Sequence, residues 1–529
     1  MRKALPFLLA NLCLAQYDVL IHGGRLVDGA GGPWFLADVA LKGDKIAAIG
    51  PLSGAQAALR IDARGMVVAP GFIDIHTHAR RGIFQIPTAE NYIRQGVTTL
   101  IEGPDGGSPL PLRAFLEKLG RTPISVNFGL LAGQGTIRQE IMGRENRPAT
   151  PAEIEKMKDL VRQEMRGGAF GLSTGLFYVP GNYTPTEEVI ELARVAGQLG
   201  GVHISHMRDE AAGILDSVRE TIRIGEQGGL PTQLTHHKII GAGNWGRSRE
   251  TLRLVEEARA RGVDVTIDQY PYTASSTGSS ALIPQWAQAG GQRGLTERLR
   301  DPAQRAKIKA GIIDRIKNDR GGGDPKNVVF ANCGFDPSLA GKNLAQLTEQ
   351  RGLPGTAENA ADLVLELERK GGCQTIYHAI AEEDVERIMR SPLTMIGSDG
   401  EIPTFGHGAP HPRSYGTFVR VLGRYVRERK AISLEEAIRK MTSMPAARLR
   451  LPDRGLLRPG MQADIAIFDP ATVTDKATFQ QPHQYAEGVR DVFVNGRPIV
   501  LNGKVTEERP GRLLYGPAHL PGPAAGQPK

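Results

Sequence analysis

The residues best placed to do chemistry are histidines and aspartates at the ends of short apolar runs. Residues 70–78 read Pro-Gly-Phe-Ile-Asp-Ile-His-Thr-His, so His76 and His78 alternate with Ile75 and Thr77. Successive side chains of an extended strand point to opposite faces, which puts both imidazoles on one side. Two neutral imidazoles from one strand end can share in holding a divalent cation. His206 closes the run Val-His-Ile-Ser at 202–205, and His236 closes Thr-Gln-Leu-Thr at 232–235, thirty residues later, about one strand-helix repeat. His203 and His237 are offset from them by odd numbers of residues and are expected to face away. Asp399 follows Pro-Leu-Thr-Met-Ile-Gly-Ser at 392–398 and precedes Gly400. A carboxylate there can ligate a cation and also take a proton from a bound water. Taken alone, each feature has an ordinary structural reading. Their recurrence at strand ends is what points to water activated by a metal.

Two other strings match catalytic patterns less well. Gly-Ala-Gly-Asn-Trp-Gly at 241–246 satisfies the dinucleotide-binding spacing, but Trp245 would crowd a pyrophosphate. Gly-Leu-Ser-Thr-Gly at 171–175 has the form of a nucleophile elbow, yet Leu-Phe-Tyr-Val-Pro follows where a helix should start.

These candidates need a scaffold that brings strand ends together. Apolar runs at 72–75, 98–101, 125–128, 170–172, 202–205, 232–235, 263–267 and 394–396 alternate with amphipathic helical sequence. Eight such repeats suit a closed (β/α)8 TIM-type barrel, with its site at the strands' C-terminal ends. Thr150, Thr184 and Ser433, each three residues before a Glu, mark helix starts. Residues 16–68 and 451–516 have a different texture, with period-two runs and the hairpin signals Asn495-Gly496 and Asn502-Gly503. The expected architecture is an α/β barrel at 69–450, interrupted by an insertion at about 277–341. It is itself inserted into a small β-sandwich made from both chain ends.

The chain has 529 residues, ample for such a core, and 40% of them are hydrophobic. Net charge is +8, but basic and acidic residues are interspersed and aromatics make up only 5%, so a nucleic-acid surface is not expected. Residues 1–15 carry Arg2 and Lys3 before an apolar run, which reads as a short signal peptide and predicts export to the periplasm or medium. Beyond it, no apolar run is long enough for stable membrane insertion. Only Cys333 and Cys373 would then remain, which fits either redox compartment. The Pro-, Gly- and Ala-rich tail at 517–529 is expected to be disordered.

The chain resembles the D-aminoacylase, or N-acyl-D-amino-acid deacylase, branch of the amidohydrolase superfamily. Residues 71–78 and the closing Gly-Leu-Leu-Arg-Pro-Gly at 455–460 carry the superfamily likeness. The branch likeness rests on Ser205-His-Met-Arg-Asp-Glu210, His236-His-Lys238, Tyr270-Pro-Tyr-Thr-Ala-Ser-Ser276 and His411-Pro-Arg-Ser-Tyr-Gly-Thr-Phe418. The resemblance implies one or two divalent ions, chiefly Zn2+. His206 and His236 would hold the tighter ion, and His76, His78 and Asp399 would surround a weaker one. It also implies that Asp399 is the catalytic acid-base, and that Lys238, Tyr178, Tyr270, Ser276 and Arg413 contact a small-molecule substrate. The branch usually supplies a cysteine after the second strand, where this chain reads Gly103-Pro-Asp-Gly106. Asp105 is the positional substitute, with Glu102 behind it. A carboxylate is a harder ligand than a thiolate and can bridge two cations. The activity implied is hydrolysis of N-acyl-D-amino acids or related carboxylate-bearing amides. Dipeptides, cyclic imides and hydantoins are alternative substrates for the same barrel, and a non-catalytic scaffold is the alternative from another class. The sequence does not specify an oligomeric state.

Overall fold

The computed structural model describes residues 16–521; the expected signal peptide at 1–15 and the end of the tail at 522–529 lie outside them. Eight parallel strands form a barrel: Phe72–Thr77, Val97–Glu102, Asn127–Leu130 continued by Ala132–Gly133, Gly171–Gly175, Val202–His206, Thr232–Leu234, Val265–Gln269 and Thr394–Ile396. The third strand breaks at Leu131, so its first half pairs with the second strand and its second half with the fourth. The barrel closes between its last and first strands, where Asp399 N donates to His76 O at 2.8 Å and His78 N to Gly400 O at 2.7 Å. Closure therefore runs through three of the candidate site residues.

Apolar side chains of the strands and of the helices around them fill the interior and the strand-helix interface, including Phe72, Leu100, Phe128, Leu172 and Ile396. Thr150 caps the helix Pro151–Gly167 in a reciprocal box with Glu153, and Ser433 accepts from Glu436 N. Thr184 does not cap. The helix it was expected to open starts at Thr186, and the Thr184 hydroxyl accepts instead from Gln134 Nε2.

Both chain ends build one nine-stranded sheet that folds over a separate core, including Val19, Ile21, Leu41, Ile465 and Phe493. Strand Val67–Pro70 pairs with Ile465–Phe468 and joins the two contributions. Asn495-Gly496 and Asn502-Gly503 all take positive φ, the conformation that two-residue hairpin turns need. Between the seventh and eighth barrel strands the chain makes a longer excursion than 277–341. Strands Ser275–Gly278, Val328–Asn332 and Gln374–Tyr377 form a three-stranded antiparallel sheet, and helices Pro302–Asn318 and Ala357–Arg369 pack together nearby. A disulfide joins Cys333 and Cys373.

The first part of the tail is ordered: Leu520 N donates to Arg166 O, and Tyr515 stacks on His519 at 4.0 Å. Expected disorder at 517–521 is therefore corrected, because these residues pack against a barrel helix. Among the described residues no helix is long and apolar enough to cross a membrane.

Candidate active site

The candidate residues surround one cavity of about 750 Å³ at the C-terminal ends of the barrel strands, with His76 wholly buried beneath it. His76 and His78 come from the first strand and the residue after it, His206 from the end of the fifth, and His236 from just beyond the sixth. Asp399 follows the eighth. Asp105, His236 and Asp399 all have positive φ, at 58°, 37° and 52°. Non-glycine residues rarely adopt this conformation, at a cost of about 1 kcal/mol or more each, and it collects at functional sites.

Asp105 links two groups of ligand atoms. Its Oδ1 lies 3.3 Å from His236 Nε2 and 3.7 Å from both His206 Nδ1 and His76 Nε2, while Oδ2 is 3.5 Å from His78 Nε2. His78 Nε2 and His76 Nε2 lie 3.0 and 3.5 Å from Asp399 Oδ1. His76, His78, Asp105 and Asp399 therefore converge on one point, and Asp105, His206 and His236 on another. Buried polar atoms without hydrogen bonds converge here: Asp105 Oδ1 and His76 Nε2 have none. Such atoms are costly unless something satisfies them. Nitrogen and carboxylate donors at this spacing suit divalent zinc-like ions. Glu102 takes no part, since it accepts from Arg80 N, Arg80 Nη1 and Gly103 N.

The support for His76 is legible in its hydrogen bonds. Asp268 Oδ2 accepts from Thr235 Oγ1 at 2.6 Å, so the Thr235 oxygen is left to accept from His76 Nδ1. That assigns the proton to Nδ1 and turns the Nε2 lone pair toward Asp105 and Asp399. Asp268 also accepts from His236 N at 2.7 Å, bracing a second candidate ligand.

Electrostatics keeps the carboxylates ionised. Burial would raise the Asp399 pKa, but Arg413 and then His76 and His78 outweigh it and hold the carboxyl well below the usual range. Asp105 is held down in the same way by His76, His236 and His206. Burial lowers His206 to about 4, leaving it neutral and available as a donor. At His76 burial works against the charge, yet Asp105 and Asp399 prevail and raise its pKa, so a proton and a cation compete for the Nε2 lone pair turned toward those carboxylates.

The residues expected to contact substrate line the same cavity. The Tyr178 ring lies 4.5 Å from that of His206, with its hydroxyl bonded to Thr277 Oγ1 at 3.1 Å. Tyr270 is buried and its hydroxyl has no partner. The Arg413 guanidinium lies 4.7 Å over the Tyr270 ring, and Arg413 Nη2 donates to Ser276 O. Neighbouring Ser275 has a buried hydroxyl with no partner. Lys238 donates to Glu210 Oε1 at 2.5 Å and to His236 O at 2.8 Å. Sequence reasoning missed Glu210, Arg320 and Asp268. Glu210 stood inside a quoted motif, and its acidic type four residues past His206 was the only signal.

His203 and His237 face away and are buried between threonines or against a helix. His203 contacts Thr174 and Thr232 at 3.0 and 2.8 Å, and His237 contacts Thr251 at 2.8 Å. Ser173, the elbow candidate, donates to Gly103 O inside the barrel and is fully buried. In the glycine string, Trp245 donates its indole N–H to Ala379 O.

The amidohydrolase family pattern matches residues 60–500. The chain is 39% identical to the D-aminoacylase of Alcaligenes xylosoxydans xylosoxydans, over 94% of this chain and 97% of that protein. It superposes on the crystal structure of D-aminoacylase with a TM-score of 0.81 at 37% identity, covering 94% of this chain and all of the other. The N-acyl-D-glutamate deacylase of Bordetella bronchiseptica, solved with zinc and a phosphonate mimic of the tetrahedral intermediate, gives the same TM-score at 34% identity, covering 94% of this chain and 100% of that one. Matched over nearly its whole length to such relatives, the chain belongs to the amidohydrolase family, in its D-aminoacylase branch.

Proposed function

We propose that this protein is a zinc-dependent deacylase that hydrolyses the amide bond of N-acyl-D-amino acids. The observation that carries the reading is the convergence of Asp105, two histidine pairs and Asp399 at the floor of a cavity whose wall presents Arg413. His206 and His236 with Asp105 would hold one zinc ion; His76, His78 and Asp399 would hold a second, with Asp105 between the two. When bound, zinc supplies Lewis acidity and a nucleophilic water at neutral pH.

The chain's own residues do the rest. Asp399, ionised and 3.0 Å from His78 Nε2, accepts the proton of the attacking water and returns it to the leaving nitrogen. The unpartnered Tyr270 hydroxyl donates to the oxyanion that forms at the carbonyl. Arg413 Nη1 is buried beside Asp399 without a hydrogen bond, so it keeps a donor for the substrate carboxylate while Nη2 is anchored on Ser276 O. Lys238, Tyr178 and Ser276 complete the pocket around the amino-acid part. We place the enzyme outside the cytoplasm; the Cys333–Cys373 disulfide supports this, since such bonds persist in oxidising compartments.

The test is a hydrolysis panel of N-acetyl-D- and N-acetyl-L-amino acids, dipeptides and hydantoins, run on zinc-quantified protein. Turnover of the D-acyl compounds is expected to dominate. Preferential ring opening of hydantoins, or no turnover in fully metallated protein, would refute the proposal.

A further inference from the structure

Glu210 lies four residues past His206, its side chain 1% exposed, behind the ligand cluster on the side away from Asp105. Its Oε1 is 2.5 Å from Lys238 Nζ and 3.3 Å from His236 Nδ1; its Oε2 is 3.2 Å from Arg320 Nη2 and 3.6 Å from His206 Nε2. One buried carboxylate thus faces two cations and the rear nitrogens of two ligand histidines. Arg320 arrives from the excursion between the seventh and eighth strands and lays its guanidinium 3.9 Å over the Phe177 ring. Two cations to one carboxylate exceed what neutralising Lys238 would need.

The geometry at His236 sets up a contest. Its Nε2 lies 2.6 Å from His206 Nδ1 and faces Asp105, so it can donate a lone pair to a cation only when the ring proton sits on Nδ1. Lys238 Nζ lies 2.8 Å from that same Nδ1. An ammonium is a donor only, so a Lys238 bond to Nδ1 would drive the proton to Nε2 and block the ligand atom. Glu210 resolves this in two ways. Its carboxylate is an acceptor beside Nδ1, and with His236 O it engages the donors of Lys238. His206 is turned the same way, with Nδ1 forward and Nε2 toward Glu210, but at 3.6 Å it makes no hydrogen bond to the carboxylate.

We infer that Glu210 is a positioning residue that fixes the donor tautomer of His236 and, through the same carboxylate, holds Lys238 at the substrate wall, with Arg320 as its second counter-charge. Partners behind metal-binding histidines orient the rings, and their removal costs about 10- to 100-fold in metal affinity. The inference rests on the zinc reading above, but it is tested by metal binding alone, without substrate, so it can fail while the deacylase assignment stands, and the reverse.

The experiment measures zinc affinity by chelator competition, with thermal midpoints, for the full-length protein and three variants: Glu210→Gln, Lys238→Met and the double variant. Glu210→Gln is expected to bind the tighter zinc about 10- to 100-fold more weakly. Lys238→Met is expected to bind it at least as well as wild type, because the competing donor is gone. The double variant is expected to recover to within a few-fold of wild type. KM for an N-acetyl-D-amino acid rises in all three. Wild-type zinc affinity in Glu210→Gln would overturn the inference, and so would no recovery in the double variant. Should Glu210→Gln fail to fold, Lys238→Met decides alone: weakened zinc binding there contradicts the contest at Nδ1.

Discussion

Arg413 Nη1 lies 2.8 Å from Asp399 Oδ2, both side chains almost wholly buried, yet the contact lacks hydrogen-bond geometry. The guanidinium therefore keeps Asp399 ionised by proximity while Nη1 keeps a donor unspent and Nη2 is anchored on Ser276 O. One pair thus joins the group that binds a substrate carboxylate to the group that moves the proton. Arg413→Ala is expected to raise KM about 10- to 100-fold, the value of a charge-assisted hydrogen bond, with kcat falling less. Steady-state kinetics on an N-acyl-D-amino acid and on its amide separates the effects: the amide, lacking the carboxylate, should be nearly indifferent to the substitution.

Asp399→Asn keeps the shape of the side chain and removes its ability to accept a proton. With Asp105, His206 and His236 intact, zinc at the first group of ligands should stay bound. Turnover should drop by about 10²- to 10⁴-fold, the usual contribution of a positioned base. Elemental analysis beside kcat reads both quantities. Activity within a few-fold of wild type would remove Asp399 from the mechanism.

Asp105 stands between the two groups of candidate ligands, and its two oxygens face different ones. Asp105→Cys replaces two oxygens by one sulfur. It should keep zinc beside His206 and His236 and hold the position at His76 and His78 more weakly, since a single sulfur replaces two oxygens that are turned toward different groups. Asp105→Ala should weaken even the tighter ion by more than about 100-fold. Zinc stoichiometry after exhaustive dialysis gives the answer directly: unchanged zinc content in the alanine variant would show that Asp105 holds neither ion.

What sequence patterns conveyed was local. His76, His78, His206 and His236 sit on or just past short apolar runs, and period-two alternation alone separates His206 from His203 by the face each presents. Asp105 was found only as a mismatch within a resemblance, and the resemblance could not show that Glu102 is occupied by Arg80. Glu210, Asp268 and Arg320 act through partners far away in the chain: Arg320 and Glu210 are 110 residues apart, Thr235 and His76 159. No periodicity encodes such meetings. The extent of the excursion was hidden for the same reason, because Val328–Asn332 and Gln374–Tyr377 find each other across intervening helices.

The disulfide closes this sheet. Cys333 and Cys373 are 40 residues apart and flank Asn332 and Gln374, which are paired in register and line the cavity. By chain-entropy arithmetic a loop of this size restrains the unfolded chain by about 4 kcal/mol. Replacing both cysteines by serine should therefore let the excursion melt before the barrel, seen as an early transition in calorimetry. KM should rise while zinc content stays unchanged. A single unshifted transition would show that the crosslink adds nothing to this wall.

His203 predicts how the barrel responds to acid. It is buried between Thr174 and Thr232, and burial lowers its pKa to about 3. In the unfolded chain an imidazole titrates near 6.5, so below that pH the unfolded state gains protons that the folded state refuses. The contribution to stability is complete above about 6.5 and is lost progressively as the pH falls toward 3. Between pH 6.5 and 5 it amounts to about 2 kcal/mol, at 1.4 kcal/mol per pH unit. His203→Gln keeps an amide able to meet both threonines and does not titrate. The variant is expected to be less stable at pH 7.5, through altered packing, and to lose less further stability than wild type on going to pH 5. Urea unfolding at the two pH values measures the difference, and equal losses in the two proteins would show that His203 is not a source of acid sensitivity.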